Sequence, residues 1–229
     1  MPIINVRDFF NGGAGDIDGR IPDQVARSST WQRLPNGIIS GRIGGPPIQE
    51  TNGSVGLDSG GTNNGNYSVY TVGKPRSPNY RIKATLQGGV PSGGLAFAGI
   101  VARATSLDEY YYLERKAEGF SGTSSLWLLY KFWVSEVEGV MTPQSTIIWN
   151  EFGPIGNFSV VAELIVRGNT LTVIADGVQK AQVIDPDPSF LTAAGKAGLS
   201  MRIGNHADTF TRAYEFEVID LVSPINMIA

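Results

Sequence analysis

Phe158-Ser159-Val160-Val161-Ala162-Glu163-Leu164-Ile165-Val166-Arg167, with Gly168-Asn169, residues 170–175, Asp176-Gly177 and residues 178–184 after it, decides how this chain folds. Phe158, Val160, Ala162, Leu164 and Val166 fall on every second position, the period of a strand with one buried face. Gly168-Asn169 reverses the chain and residues 170–175 run back. Asp176-Gly177 reverses it again, because both residues accept the positive φ that a two-residue type I′ hairpin needs. The segment predicts a three-stranded antiparallel meander.

The same pattern extends outward in both directions. Residues 196–203 and 212–221 read as two further strands around a loop at 204–211. Residues 80–86, 95–103, 110–116 and 125–134 read as a second sheet in the middle of the chain. Glycine (29) and proline (13) are spread between short apolar runs, the punctuation of many strands and turns. No long run carries helical periodicity with caps, and residues 187–194 have room for one helical turn. Residues 44–66 are rich in Gly, Asn and Ser, which suits a long surface loop or a pair of short edge strands. With 229 residues and no internal repeat, the expectation is one domain over 1–229, with an insertion at about 44–75.

Composition narrows the function. The 18 basic and 21 acidic residues leave a net charge of −3, so no broad positive field is available for nucleic acid or anionic lipid. Neither a nucleic-acid nor a membrane partner is expected. The densest apolar stretch, 126–134, is interrupted by Lys131 and falls short of a membrane span. With 0 cysteines, disulfides, thiolate metal sites and cysteine nucleophiles are excluded. Met1 to Asp8 has no basic head and apolar run, so no signal peptide is expected.

The turn at 105–109 suggests a register for the middle strands. Setting Arg103 opposite Tyr110 brings Val101 to Tyr112, Gly99 to Glu114 and Phe97 to Lys116. The other face then holds Ala98, Ile100, Ala102, Tyr111 and Leu113 as core, with Arg115 at its end. Placing Lys131 opposite Tyr112 adds Trp127, Lys131 and Trp133 to the first face, and Leu128, Tyr130 and Phe132 to the core. One residue of slip exchanges the faces. In this register Arg103, Tyr110, Tyr112, Glu114, Lys131 and Trp133 share one surface. Such a surface suits a sugar, whose C–H faces stack on aromatic rings while its hydroxyls bond to polar groups. The competing reading is structural, since Tyr and Trp favour half-buried strand positions.

Several segments carry a resemblance. They are Asp8-Phe9-Phe10, Asp18-Gly19-Arg20-Ile21-Pro22-Asp23 and Thr30-Trp31 at the start, and Gly99-Ile100-Val101-Ala102-Arg103 followed by Tyr110-Tyr111-Tyr112-Leu113-Glu114-Arg115 in the middle. Leu129-Tyr130-Lys131, the Asp176-Gly177 hairpin, Gly195-Lys196-Ala197-Gly198-Leu199 and Tyr214-Glu215-Phe216-Glu217-Val218 complete the set. Their order resembles the concanavalin A-like lectin/glucanase superfamily, especially its laminin-G-like jelly rolls, over most of the chain apart from 44–75. The resemblance implies an all-β, antiparallel two-sheet jelly-roll sandwich with one concave sheet and adjacent terminal strands. Such modules serve as glycan binders, glycosidases and bacteriophage tail or capsid proteins, and the leaderless, cysteine-free form is most similar to the phage members.

The resemblance also directs a search for catalysis. Glu215-Phe216-Glu217-Val218-Ile219-Asp220 is similar to the acidic strand of the laminarinase-type glucanases, but holds Glu where that family has Asp and Asp where it has Glu. The simpler expectation is that Tyr214, Phe216 and Val218 point inward and the carboxylates point to water. His206 is the only histidine, too few for a multi-histidine metal site. Gly119-Phe120-Ser121-Gly122-Thr123 lacks the last glycine of a nucleophile elbow. Gly73-Lys74-Pro75 does not end a phosphate loop. Asp16, Asp18, Asp58, Asp185, Asp187 and Asp208 could hold structural calcium, as some superfamily members do. None lies in a calcium-loop register, and Asp16-x-Asp18-Gly19 suits a turn cap instead. No cofactor is expected.

The expectation is therefore a non-enzymatic virion protein, made in the host cytoplasm, for capsid decoration or for a tail or receptor-binding role. Its expected partners are other virion proteins or itself, with cell-surface polysaccharide as a ligand. The apolar ends, Pro2-Ile3-Ile4 and residues 224–228, would then be docking strands, or would pair with each other across the sandwich. The alternatives are a glycan-binding module of a secreted or cell-surface bacterial protein and, further off, a glucan hydrolase.

Overall fold

The computed structural model describes residues 3–26, 29–34, 47–51, 53–58, 68–73, 75–89, 94–119, 124–153, 159–186, 195–203 and 210–221. Within them the regular structure is all strand. In chain order the strands are β1 (Ile3–Asp8), β2 (Gly15–Asp16), β3 (Gln24–Val25), β4 (Gln32–Arg33), β5 (Gln49–Thr51), β6 (Ser54–Asp58), β7 (Ser68–Val72), β8 (Tyr80–Gly89) and β9 (Gly94–Ser106). They continue as β10 (Glu109–Gly119), β11 (Ser124–Val137), β12 (Val140–Phe152), β13 (Val160–Arg167), β14 (Thr170–Ala175), β15 (Val178–Ile184), β16 (Lys196–Ile203) and β17 (Phe210–Asp220).

Two antiparallel sheets form from them. One runs β15-β14-β13-β8-β17-β6-β5-β2, with β1 also on β17 and β3 on β1; the other runs β12-β11-β10-β9-β16-β7-β4. The 160–184 meander forms as its alternation requires, and Asp176 (φ 49) and Gly177 (φ 76) make the positive-φ turn. Strand β8, expected beside β9 in a middle sheet, pairs instead with β13 and β17 across the sandwich. Part of the 44–75 stretch is integral to the fold: β6 pairs with β17, while β7 is buried between β16 and β4. The helical turn considered at 187–194 lies outside the described residues.

The inner faces interlock over one apolar cluster. Ala98, Ile100, Ala102, Tyr111 and Leu113 come from one sheet, and Ile82, Ala84, Leu164, Val166, Phe216 and Val218 from the other. The opening motif closes one end. The buried Asp8 accepts a bond from Trp31 Nε1 (2.7 Å) and pairs with Arg20, which also reaches Glu50 (2.7 Å). Trp31 in turn packs against Phe216 with ring centroids 5.0 Å apart. The Asp-Phe-Phe, Asp-Gly-Arg and Thr-Trp segments are thus the parts of one structural knot. Strand β1 pairs with β17 inside the sandwich, so residues 3 and 4 are pairing residues, while residue 2 and residues 224–228 lie outside the described set.

Candidate functional site

The outer face of the seven-stranded sheet is laid out by its registers. One row reads Leu126, Lys116, Phe97 and Arg202 across β11, β10, β9 and β16. The next reads Leu128, Glu114, Gly99, Ser200 and Val69, and the third Tyr130, Tyr112, Val101, Gly198 and Thr71. The pairs Val101–Tyr112, Gly99–Glu114 and Phe97–Lys116 stand as the spacing predicted.

Two parts of the predicted register do not hold. Lys131 pairs with Tyr111 and Tyr112 with Tyr130, one residue away from the expected Lys131–Tyr112 pair. Tyr130 and Phe132 therefore join the outer face, whereas Trp127, Lys131 and Trp133 turn inward. Arg103 is the second departure. Ala102 pairs with Tyr111 and Ser106 with Glu109, so residues 103–105 oppose the single residue Tyr110. Arg103 takes positive φ (53) at this bulge, which costs on the order of 1 kcal/mol and turns its side chain away from the Tyr112 face. Of the six expected surface residues, the sheet keeps Tyr110, Tyr112 and Glu114 together on the outer face and places Arg103, Lys131 and Trp133 elsewhere.

The displaced residues build a buried polar cluster. Lys131 Nζ lies 3.0 and 2.8 Å from the two carboxylate oxygens of Asp185, which also accepts the hydroxyl of Tyr111. The Arg103 guanidinium donates to the carbonyl of Pro78 (2.9 and 3.2 Å), and its backbone N–H donates to the Tyr80 hydroxyl (2.6 Å). Burial lowers the pKa of Arg103 and raises that of Tyr80. Trp133 lies beneath the Lys131 ammonium, 5.2 Å from ring centroid to Nζ. A charge this deeply buried needs such partners, so the cluster is structural.

On the outer face the aromatic residues form a ladder. Tyr110 stacks on Phe132 (4.7 Å), Phe132 on Tyr130 (5.6 Å) and Tyr130 on Tyr112 (6.2 Å). Tyr110, Tyr112 and Phe132 are buried with Leu34, Val69, Val101 and Leu107; Tyr130 is the half-buried ring at the margin. The pKa of its phenol is raised by burial and then by the nearby Glu114 carboxylate, and Arg202 opposes that rise. The Arg202 guanidinium lies 3.8 Å from the centroid of Phe97, and Lys116 Nζ lies 6.0 Å from the same ring. Phe97, Lys116, Tyr130 and Arg202 are the members that the spacing did not single out. Phe97 and Lys116 already stand on this face in the predicted register, Tyr130 falls in the expected core, and for Arg202 the visible signal is the alternation Lys196, Gly198, Ser200, Arg202, which marks a polar face on β16.

The carboxylates of β17 lie on the other sheet. Glu217 pairs with Arg7, and with Arg81 at 3.3 Å, while Asp220 accepts from Asn5 (3.1 Å) and from the backbone N–H of Arg76 (3.0 Å). Phe216 and Val218 point inward as expected, but a bulge between Ala213 and Glu215 exchanges Tyr214 for Ala213 in the core. Across the three rows described, Glu114 is the one carboxylate among the described side chains, whereas glycoside hydrolysis needs two. No group of three or more His, Cys, Asp or Glu among the described residues could hold a metal. Asp16 serves as a cap, accepting from the Asp18 N–H (3.0 Å) and the Tyr70 hydroxyl (2.8 Å). His206, Asp187 and Asp208 lie outside the described residues.

Two packed antiparallel sheets in this order define a concanavalin A-like jelly-roll sandwich. The fold is similar to that of the CBM2 module of evolved Dit from Lactobacillus casei BL23 phage J-1, with TM-score 0.62 at 10% identity, over 97% of this chain and 98% of that one. It is also similar to β-agarase A from Zobellia galactanivorans, with TM-score 0.59 at 15% identity, over 96% and 92% of the two chains. Carbohydrate binding module CBM66 from Bacillus subtilis matches with TM-score 0.51 at 11% identity, over 82% and 94%. No protein-family model and no curated protein matches the sequence.

Proposed function

We propose that this chain is a glycan-binding jelly-roll module and that its ligand lies on the outer face of the seven-stranded sheet. The observation that carries the reading is the outer face itself, where the half-buried Tyr130 ring stands at the margin and Arg202 lies over the Phe97 ring (3.8 Å) with Lys116 beside it. A half-buried aromatic edge with the cationic donors Arg202 and Lys116 on the same face meets both demands of a sugar, apolar C–H contact and directional hydrogen bonding, while the Glu114 carboxylate lies buried beneath them. The likeness to two binding modules supports the reading at the level of fold. The likeness to a glycosidase supports the same ligand class, and because Glu114 is the one carboxylate among the described side chains of the three rows, the reading we favour is binding without cleavage.

The setting we propose is a phage virion, where such a module would hold host surface polysaccharide as a tail or capsid accessory. Its support is the likeness to a phage module along nearly the whole of both chains. Glycan-array screening followed by calorimetry tests the binding claim. Tyr130→Ala and Arg202→Ala should each weaken binding at least tenfold while the fold persists, and unchanged binding in both would remove the site. Immunogold labelling of purified particles tests the setting. Label on the particle is expected, and its absence from particles of the parent phage would contradict that part.

A further inference from the structure

The three rows on the outer face of the seven-stranded sheet differ in how open they are. At β12 they continue into Phe152, Asn150 and Ile147, which pair with Leu126, Leu128 and Tyr130. The second and third rows are closed in the middle, where Glu114, Ser200, Tyr112, Val101 and Thr71 are buried. The first row is open along most of its length. Phe152 is 81% exposed, Leu126, Lys116 and Arg202 are half-buried, and Phe97 alone is buried, beneath the Arg202 guanidinium. A ligand lying across the strands here meets Phe152, Leu126, Lys116 and Arg202 in that order. The row crosses β12, β11, β10, β9 and β16, a span of roughly 19 Å at about 4.8 Å per strand.

The charge that this row turns to solvent has one sign. Among the described side chains of the three rows the charged ones are Lys116, Arg202 and Glu114, and Glu114 is 0% exposed. The accessible charge is therefore cationic, on a chain whose net charge is −3. Lys116 Nζ and the Arg202 guanidinium converge on one ring, 6.0 and 3.8 Å from the Phe97 centroid. Two like charges this close repel. The outer face of the larger sheet is built otherwise: Arg7 meets Glu217, and Arg81 lies 3.3 Å from Glu217 and 3.5 Å from Glu163. An anion set between Lys116 and Arg202 would relieve their repulsion, and the planar guanidinium fork matches two oxygens of a carboxylate or a phosphate.

We propose that the ligand is an acidic polysaccharide, with an anionic group seated between Lys116 and Arg202 and a sugar further along the same chain stacked on Phe152. The proposal rests on the glycan-binding reading above and adds the sign of the ligand and its path. A neutral sugar would cover the two cations without neutralising either, at a cost in desolvation. An acidic one offsets that cost with charge-assisted hydrogen bonds. Phe152 supplies the apolar contact that charge alone does not, because an exposed ring can take the C–H face of a sugar.

A glycan array carrying neutral, carboxylated and phosphorylated polysaccharides tests the sign of the ligand on the full chain. Polygalacturonate and its carboxyl-reduced form serve as a matched pair, and the carboxylated and phosphorylated members tell the two acid sources apart. Acidic members should bind roughly tenfold or more tightly than neutral ones, and raising salt from about 0.05 to 0.5 M should weaken them by a similar factor. Lys116→Gln and Phe152→Ala, both at open positions, should each weaken acidic binding roughly fivefold with an unchanged melting temperature. Neutral members binding as well as acidic ones, or binding indifferent to salt, would overturn the acidic ligand and leave the glycan-binding reading standing. No binding to any member would overturn both. Unchanged binding in Phe152→Ala would take the chain off this row.

Discussion

Lys131 and Gly99 show how much depends on single positions in this sheet. An unpaired ammonium is costly away from water, so pattern reasoning places Lys131 outside. The structure turns it inward because Asp185 offers both carboxylate oxygens and is itself held by Tyr111. Asp185 comes from the far end of the β15 segment, and no spacing within the middle strands reveals that partner. Asp185→Ala is expected to cost about 3 kcal/mol by urea denaturation, because it leaves a buried cation uncompensated. The double change Asp185→Leu with Lys131→Met should recover much of that loss, and a silent single variant would show the pair to be unimportant. At Gly99 a Cβ would stand 2.2 Å from the Leu113 carbonyl and 2.4 Å from the Tyr112 ring. Gly99→Ala should therefore cost on the order of 1–3 kcal/mol, and a melting temperature equal to that of the parent would contradict the close approach.

Elements with strict alternation were legible, and those with irregularities were not. Residues 160–184 formed the expected meander because Val160, Ala162, Leu164 and Val166 leave one choice of buried face. Strand β12 escaped notice because its outward edge imposes no apolar period, and Pro143 and the bulge at Ile148 break what remains. The bulge at Arg103 was equally hidden, since a non-glycine residue at positive φ carries no local signal. The β17 carboxylates show the benefit of knowing a strand's sheet: Glu217 belongs to a cross-strand charge ladder with Arg7 and Arg81 on the outer face of the larger sheet. Glu217→Gln should cost on the order of 1 kcal/mol, since its partners are partly exposed, and leave glycan binding unchanged. A loss of binding in that variant would move the site to the other sheet.

For the whole molecule, burial of tyrosine makes stability depend on alkaline pH. Burial raises the pKa of Tyr80 above its ordinary value of 10.0, and raises those of Tyr70 and Tyr130 as well. Below about pH 10 both folded and unfolded chains keep these protons, and the stability is fully present. Above it the unfolded chain ionises first, so stability falls as pH rises towards the folded values. Denaturation curves should show that fall in the parent chain and a smaller one in Tyr80→Phe; parallel curves would contradict the burial. Which sheet face meets a sugar is decided by calorimetric titration of a bound polysaccharide into three variants. Tyr130→Ala and Arg202→Ala are expected to lose the binding heat, whereas Trp133→Ala, altered on the inward face, should keep it. Retained binding in the first two, or loss in Trp133→Ala alone, would contradict the assignment.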